Sequence, residues 1–262
     1  MMSTSNDPWQ RLRQYTSARI GLGHVGTSVP TEALLAFQQA HAQARDAVHL
    51  PLDTQPLEAL CKRLNWPVLS VHSQADNRAV YLQRPDYGRQ LRSDERERLK
   101  ATATAPCDVA VVVADGLSAL AIHHHAPTML TRLHALAERE QWTLSPMVIA
   151  HQARVAIADD IGECLQARLV LILIGERPGL SSPDSLGIYL TYAPQVGCSD
   201  AQRNCISNIR PEGLTYPAAM STLSYLMHEA LQRQCTGIGL KDHAGSTPLA
   251  SLEAFSHMIH KL

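Results

Sequence analysis

The sequence predicts an α/β protein in which a wound, mostly parallel sheet carries helices on both faces. The first observation is that residues 108–114 (DVAVVVA) and residues 169–174 (LVLILI) are continuous apolar runs. Strands without polar alternation are typical of parallel sheets that helices cover on both faces. The second observation is that segments with helical periodicity alternate with such runs over short connections, as in right-handed strand–helix–strand units.

The N-terminal part of the chain is predicted to be a helical arm with a glycine-rich joint. Residues 19–30 (RIGLGHVGTSVP) contain three glycines and then a Thr-Ser pair before Pro30, which suits a tight backbone followed by a helix start. Apolar residues then recur every three or four positions, which predicts a helix with one packing face. That face consists of Leu34, Phe37, Ala40, Ala44 and Val48.

The glycine-rich joint has a second interpretation, as a phosphate-binding loop. Gly21, Gly23 and Gly26 stand ahead of a predicted helix, where backbone amides can bind an anion. A dinucleotide-binding fingerprint needs a strand before its glycines, and none is predicted here. We therefore interpret these glycines as structural.

Short elements are predicted for the rest of the first hundred residues. Residues 57–64 form a helix that ends near Pro67, residues 68–71 form a strand, and residues 81–88 form a turn. Residues 93–100 (SDERERLK) form a helix with acidic residues early and basic residues late, as the helix dipole favours. We expect the charges of this helix to face solvent.

From residue 101 onward, predicted strands and helices alternate. The strands lie at residues 108–114, 147–150, 169–174 and 187–192, and the helices lie at residues 128–141, 159–167 and 217–234. We therefore divide the chain into a small helical N-terminal domain with its linker, residues 1–100, and a Rossmann-like domain, residues 101–262.

Composition predicts a cytosolic protein without nucleic-acid or membrane partners. The 262 residues contain 23 Lys and Arg against 24 Asp and Glu, and this balance gives no general attraction to nucleic acids or anionic membranes. No apolar run approaches the roughly 18 residues of a membrane span. The six cysteines are scattered, without a C-x-x-C pair, and are expected to be reduced thiols.

Polar residues follow two predicted strands at the same edge of the sheet. Asp115 follows the strand at residues 108–114, and Glu176 and Arg177 follow the strand at residues 169–174. Ligands bind beyond the carboxyl ends of strands in such sheets, so these residues are expected to face a site. Asp115 either holds a ligand hydroxyl group or caps the next helix.

A loop with many short hydrogen-bonding side chains, residues 203–209 (RNCISNI), is expected to reach the same edge. Its Cys205 is either a nucleophile or a thiol that packs against a ligand. A nucleophilic thiol needs a base or a positive environment, and Arg203 is the only charge near it in the sequence. We favour the packed or ligand-lining thiol.

The sequence shows neither a metal site nor a catalytic set. His123, His124 and His125 are consecutive, whereas metal ligands on a helix are spaced i, i+4 and need a supporting carboxylate, so we predict a polar turn. A nucleophile elbow, a phosphate-binding lysine loop and a paired-carboxylate pattern are all missing from the sequence. From its residues, the chain is predicted to bind a metabolite or cofactor without catalytic residues of its own.

Long motifs show a resemblance to one family, the small (light) subunit of ethanolamine ammonia-lyase. In order, they are RIGLGHVGTSVPTEALLAFQQAHAQARDAVH, DVAVVVADGLSA, ARLVLILIGERPGLSSPDSLGIYLTYAP and RNCISNIRPEG. The resemblance covers nearly the whole chain and is weakest at residues 52–104 and after Leu240.

The resemblance implies a subunit that binds adenosylcobalamin together with a large subunit, which holds ethanolamine. The pair converts ethanolamine to acetaldehyde and ammonia by radical chemistry that belongs to the cofactor. It also implies that residues 101–262 bind cobalamin through Val155, Glu176 and Cys205, with no catalytic residue and no metal ligand on this chain. The family is cytoplasmic, and some members carry a longer N-terminal extension that is linked to packaging in a bacterial microcompartment.

A second hypothesis is a separate binding module that uses the same sheet edge for a nucleotide or a sugar phosphate. Such a module needs an intact phosphate loop, which the sequence does not show. Binding of cobalamin or of nucleotides would distinguish the two hypotheses.

Overall fold

The computed structural model describes residues 8–241, in which helices flank a six-stranded sheet. The strands are β1 (Val68–His72), β2 (Cys107–Ala114), β3 (Met147–His151), β4 (Ala167–Gly175), β5 (Leu186–Tyr192) and β6 (Asn204–Ile209). The helices are α1 (Pro8–Arg13), α2 (Thr31–His49), α3 (Gln55–Arg63), α4 (Arg78–Gln83), α5 (Ser93–Thr102), α6 (Ala119–Glu140), α7 (Ile157–Cys164) and α8 (Tyr216–Arg233).

The sheet is mixed, which corrects the prediction of a Rossmann-like winding. Its order is β1-β3-β2-β4-β5-β6, in which β1 to β4 are parallel and β5 is antiparallel to both β4 and β6. Residues 176–185 join β4 to β5, and this connection is too short for a crossover between parallel strands, which takes a dozen residues or more. Because β6 reverses direction again, its carboxyl end lies at the same edge as those of β1 to β4.

Helices cover both faces of the sheet, as predicted. Along β2, Val111 faces the layer of α3, α6 and α8, whereas Val112 faces the layer of α5 and α7. Both side chains are fully buried. The continuous apolar runs of the central strands therefore reflect burial on two sides.

Helix α6 begins nine residues earlier than predicted, so the histidine triplet lies in a helix and not in a turn. The Ser118 hydroxyl accepts a hydrogen bond from the Ala121 amide and caps the helix, and Pro127 is accommodated inside it. Proline removes one backbone hydrogen bond, but the buried side chains of Ile122 and Ala126 hold the first turns against the sheet. A helix start placed after Pro127 was therefore wrong.

Two other predicted segments take a different form. Residues 204–209, expected as a loop, form β6 at the edge of the sheet. Residues 78–83, which include Tyr81 of the predicted turn, form α4. In both segments, pairing or packing with distant parts of the chain outweighs the local sequence pattern.

The N-terminal arm packs only partly. Helix α2 begins at Thr31, directly after Pro30, as predicted. Ala40 is buried, but Leu34 and Phe37 of the predicted packing face are exposed. The expected packing stripe is therefore wrong for the first half of the helix.

Residues before 101 supply β1 and α5 to the layered body. The division of the chain at residue 100 stays a prediction. The two ends of the chain, residues 1–7 and 242–262, lie outside the described residues.

Among residues 8–241, none of the helices is both long and apolar enough to cross a membrane.

Candidate functional site

A cleft of about 250 Å³ lies where the carboxyl ends of β2, β3 and β4 meet. Five separate segments of the chain form its walls. The lining residues are Tyr81, Gly116, Leu117, Arg154, Val155, Ile174, Gly175, Glu176, Arg177 and Tyr189.

The floor of the cleft depends on two glycines in close contact. Gly116 has a φ of +57°, and a Cβ atom added there would lie 2.2 Å from the Gly175 carbonyl oxygen. A Cβ atom on Gly175 would lie 2.0 Å from the Ser118 carbonyl oxygen. The loop after β2 and the end of β4 can approach this closely only because both residues lack a side chain.

Glu176 lies at the rim, where its carboxylate joins three parts of the chain. Its Oε2 atom accepts hydrogen bonds from the Ser185 hydroxyl at 2.5 Å and from the Asn208 backbone amide at 3.3 Å. Its own amide donates to the Ser185 carbonyl at 2.9 Å. Among the described residues, Oε1 accepts no hydrogen bond, so this oxygen is free to accept one from a ligand.

Cys205 is connected to the cleft through Tyr189. The two residues are directly paired between β5 and β6, so their side chains are neighbours on one face of the sheet. Tyr189 lines the cleft beside Val155 and Glu176, whereas Cys205 is not among the lining residues. The three residues that the resemblance implies therefore lie in one region, with Tyr189 between Cys205 and the other two.

The environment of Cys205 does not activate its thiol. Crowding of the sulfur by its neighbours raises the pKa of Cys205, the nearby Tyr189 hydroxyl partly opposes this, and the Glu176 charge adds to it. The expected positive neighbour, Arg203, is directed away, because its guanidinium forms a buried ion pair with Asp159. This arrangement favours the neutral, ligand-lining thiol over the nucleophile.

One wall of the cleft contains the Tyr81 ring and Arg154, and Arg78, which is not a lining residue, also contacts the ring. The guanidinium carbons of Arg78 and Arg154 lie 4.7 and 4.4 Å from the centroid of the Tyr81 ring. Arg78 also donates to the Gly116 carbonyl oxygen at 2.8 Å, which fastens α4 to the cleft floor. The buried Nε atom of Arg154 has no hydrogen-bond partner within the described residues, so the wall retains an unused donor.

Asp115 has neither of its two expected roles. Its carboxylate is buried and accepts hydrogen bonds from the amides of Gln152 at 2.9 Å and Ala153 at 3.0 Å. Burial raises the pKa of Asp115, against the opposing effect of these hydrogen bonds and of Arg78. The residue connects the loops after β2 and β3, and Ser118 caps α6 instead.

Sequence reasoning missed the wall residues of the cleft. Tyr81 and Arg154 lie in segments without a recognisable motif, and Tyr189 reads as an ordinary residue of a half-buried strand. Their position relative to Glu176 depends on the sheet order, which local sequence does not encode. The sequence signal that did indicate the cleft was the apolar run of β4 followed directly by the charged residues Glu176 and Arg177.

The fold defines an α/β protein with a cleft at the carboxyl edge of its mixed sheet. The site offers hydrogen-bonding groups and an apolar wall, but its thiol is not activated. The family model for the ethanolamine ammonia-lyase light chain (EutC) matches residues 6–241. The chain belongs to this family and is a subunit of a lyase.

Curated relatives agree with the family match. The chain is 57% identical over 241 residues to the ethanolamine ammonia-lyase small subunit of Xanthomonas campestris pv. campestris, covering 91% of this chain and 89% of the relative. It is 54% identical over 259 residues to the small subunit of Pseudomonas syringae pv. tomato, covering 98% and 90%. The small subunit of Ralstonia nicotianae is 54% identical over 250 residues, covering 94% and 92%.

Proposed function

We propose that the cleft binds part of adenosylcobalamin in a complex with an ethanolamine ammonia-lyase large subunit, which converts ethanolamine to acetaldehyde and ammonia. The observation that carries the proposal is the contact between the segment after β4 and β6, made by Asn208 and Glu176. It joins the strand that carries Cys205 to Glu176, which lines the cleft together with Val155.

The size of the cleft favours a site shared between two subunits. At about 250 Å³, it is smaller than the range of about 300–1,000 Å³ that is usual for sites of drug-sized ligands, and a corrinoid is larger than such ligands. The cleft can therefore surround only one portion of the cofactor. A large subunit would enclose the rest, consistent with a family of small subunits.

The polar groups of the cleft fit the periphery of cobalamin. Glu176 presents a carboxylate oxygen, Oε1, that accepts no hydrogen bond from the described part of the chain and can accept one from amide side chains or from the ribose. Arg154 presents a buried donor that has no partner within residues 8–241, which suits a carbonyl or phosphate oxygen. Val155 and Tyr189 offer apolar surface between these groups.

The role of this chain is to bind and orient. When bound, adenosylcobalamin supplies the radical chemistry that removes a hydrogen atom from the substrate. The two cleft glycines set the depth of the site, and Glu176 orients a polar edge of the ligand. Cys205 contributes by supporting Tyr189, because a thiol is a poor hydrogen-bond donor.

A spectroscopic titration of adenosylcobalamin into the complex of the full chain with its large subunit tests the proposal. Glu176→Ala is expected to weaken binding by about 5- to 150-fold, the equivalent of about 1–3 kcal/mol for a lost hydrogen bond to a charged group. Glu138→Ala removes an exposed carboxylate in the last turn of α6 and is expected to bind as the wild type does.

Three results would contradict the proposal. Unchanged binding by Glu176→Ala would show that this carboxylate does not contact the cofactor. Binding of nucleotides or sugar phosphates by the wild-type chain, without binding of cobalamin, would favour the separate binding module. Turnover of ethanolamine by the chain alone would contradict the division of labour between the subunits.

We also propose where the large subunit binds. Ten large apolar side chains are exposed in the described part of the chain, and eight of them precede residue 51. We call these eight the N-terminal patch: Trp9, Tyr15, Val25, Val29, Leu34, Leu35, Phe37 and Leu50. Such a concentration of exposed apolar surface is typical of a protein interface.

A location in the cytoplasm, with or without a microcompartment, stays a prediction.

A further inference from the structure

Two histidines and a carboxylate form a cluster next to the cleft that the proposed cofactor site does not use. His124 and His125 lie in α6, and Asp184 lies in the loop between β4 and β5. The Oδ2 atom of Asp184 is 3.0 Å from His124 Nδ1 and 3.5 Å from His125 Nε2. All three ligand atoms lie within 4.8 Å of one another.

The buried member of the cluster, His125, is already oriented as a metal ligand would be. Its ring is 3% exposed, and its Nδ1 atom is hydrogen-bonded to the Tyr216 hydroxyl at 2.8 Å. A hydrogen bond to the second ring nitrogen is typical of metal-binding histidines, because it fixes the ring and its tautomer. The remaining Nε2 atom is buried, faces Asp184 and makes no hydrogen bond with any described residue.

The charge states of the cluster also suit a cation. Burial lowers the pKa of His125, so that its ring is neutral and a nitrogen lone pair is available. The hydrogen bond with His124 holds the pKa of Asp184 below its usual value, although burial opposes this. A neutral imidazole and an ionised carboxylate are the forms that bind metals.

The distances match a tetrahedral ion. With metal–nitrogen and metal–oxygen bonds of about 2.0–2.1 Å, two ligand atoms of a tetrahedral site are about 3.3 Å apart. The two measured separations, 3.0 and 3.5 Å, lie on either side of this value. His124 is half exposed, so its ring is free to adjust the remaining separation, between the two histidine nitrogens.

We propose that His124, His125 and Asp184 bind a divalent transition-metal ion, with zinc as the representative ion. Two imidazoles and one carboxylate are a common zinc ligand set, and water completes the coordination. The ion would fasten α6 to the loop that carries Ser185, the residue after Asp184. Because Ser185 donates to Glu176, the ion would hold the cleft rim in place.

This proposal reverses the sequence prediction that the chain holds no metal ligand. The prediction considered only the spacing within the histidine triplet. The supporting carboxylate comes from a residue 60 positions later in the chain, in a loop that the β4–β5 reversal returns to the first turns of α6. The proposal does not depend on the cofactor, because its ligands do not line the cleft.

Zinc binding to the cobalamin-free complex of the full chain with its large subunit tests the proposal. The complex is treated with a chelator, dialysed against Zn²⁺ and then against buffer, and its zinc content is measured by mass spectrometry. We expect about one more zinc per small subunit in the wild type than in Asp184→Asn, which removes the charge but keeps the shape. His124→Ala changes an exposed ring and gives a second variant in case Asp184→Asn fails to fold.

His228→Ala is the matched control. It removes the histidine of a simple pair with Glu140, whose carboxylate oxygen is 3.0 Å from His228 Nε2. This variant is expected to retain the wild-type zinc content. Replacement of Zn²⁺ by Co²⁺ is expected to add a visible absorption band in the wild type that Asp184→Asn lacks.

Equal zinc content in the wild type and in folded Asp184→Asn and His124→Ala would overturn the proposal. The cluster would then be a hydrogen-bonded pair that only joins α6 to the loop. Binding of nucleotides or cobalamin in the cleft would not affect this conclusion, so the two proposals can fail separately.

Discussion

The backbone amide of Asn208 donates a hydrogen bond to the Glu176 carboxylate at 3.3 Å, across 32 positions of sequence. This contact exists because β5 runs antiparallel to its two neighbours, which brings the end of β6 back to the end of β4. An all-parallel sheet would need long crossovers between these strands. The antiparallel reversal therefore builds the rim of the proposed cofactor site.

The contact between the two cleft glycines predicts a large cost for a single methyl group. Gly116→Ala is expected to lower the free energy of unfolding by about 2–5 kcal/mol, because it adds backbone strain and an overlap with the Gly175 carbonyl. Gly26→Ala is the matched control, since Gly26 also has a positive φ but open space around it. Urea unfolding of the two variants would measure the difference, and equal losses would contradict the close packing.

The environment of Cys205 predicts that its side chain is dispensable for turnover. Cys205→Ser in the complex is expected to keep the turnover rate within about threefold of the wild type, because serine has nearly the shape of cysteine and keeps the contact with Tyr189 across the strand pair. Loss of a nucleophile would instead reduce turnover by orders of magnitude. Steady-state assays with ethanolamine and adenosylcobalamin would distinguish a supporting thiol from a nucleophilic one.

The raised pKa of Cys205 predicts slow alkylation at neutral pH. Neighbouring groups crowd the sulfur and keep the thiol protonated below its raised pKa, so the rate is expected to increase only as the pH rises toward that value. Iodoacetamide labelling followed by peptide mass spectrometry would report on this cysteine alone. Fast labelling at pH 7 would indicate an activated thiolate.

The lowered pKa of His151 predicts a loss of stability in mild acid. Burial, followed by the stacked His72 ring at 4.7 Å, lowers the pKa of His151 below the ordinary value of 6.5. The folded state therefore binds fewer protons than the unfolded state between these two pKa values, and stability falls as the pH drops below about 6.5. The slope is at most about 1.4 kcal/mol per pH unit for one histidine.

Urea unfolding between pH 7.5 and pH 5.5 would measure this effect. His151→Gln is expected to make the pH dependence shallower, because the side chain no longer titrates. His41→Gln removes an exposed histidine of α2 and is expected to leave the slope unchanged. Identical slopes for wild type and His151→Gln would show that protonation of this residue is not linked to folding.

The N-terminal patch predicts a charge-sensitive interface. Leu35→Arg is expected to raise the dissociation constant for the large subunit by about tenfold or more, because the interface would bury an unpaired charge. Ile238→Arg places the same charge on an exposed apolar residue outside the patch. Analytical ultracentrifugation of both variants with the large subunit would compare them, and equal affinities would exclude the patch from the interface.

The sequence alone determined the layered α/β class, because burial on both faces requires unbroken apolar runs in the central strands. It also indicated Glu176, since an apolar run that stops at a glycine and a carboxylate marks the end of a buried strand. The motifs that follow that strand were long enough to show the family.

The tertiary structure alone decided the direction of β5, the strand formed by residues 204–209, and the walls that Tyr81, Arg154 and Tyr189 add to the cleft. It also decided the meeting of His125 with Asp184. Local pattern reports which side of an element is buried, whereas these contacts depend on strand order and on the short β4–β5 reversal. Both are set by the packing free energy of the whole chain, which no single segment of the sequence contains.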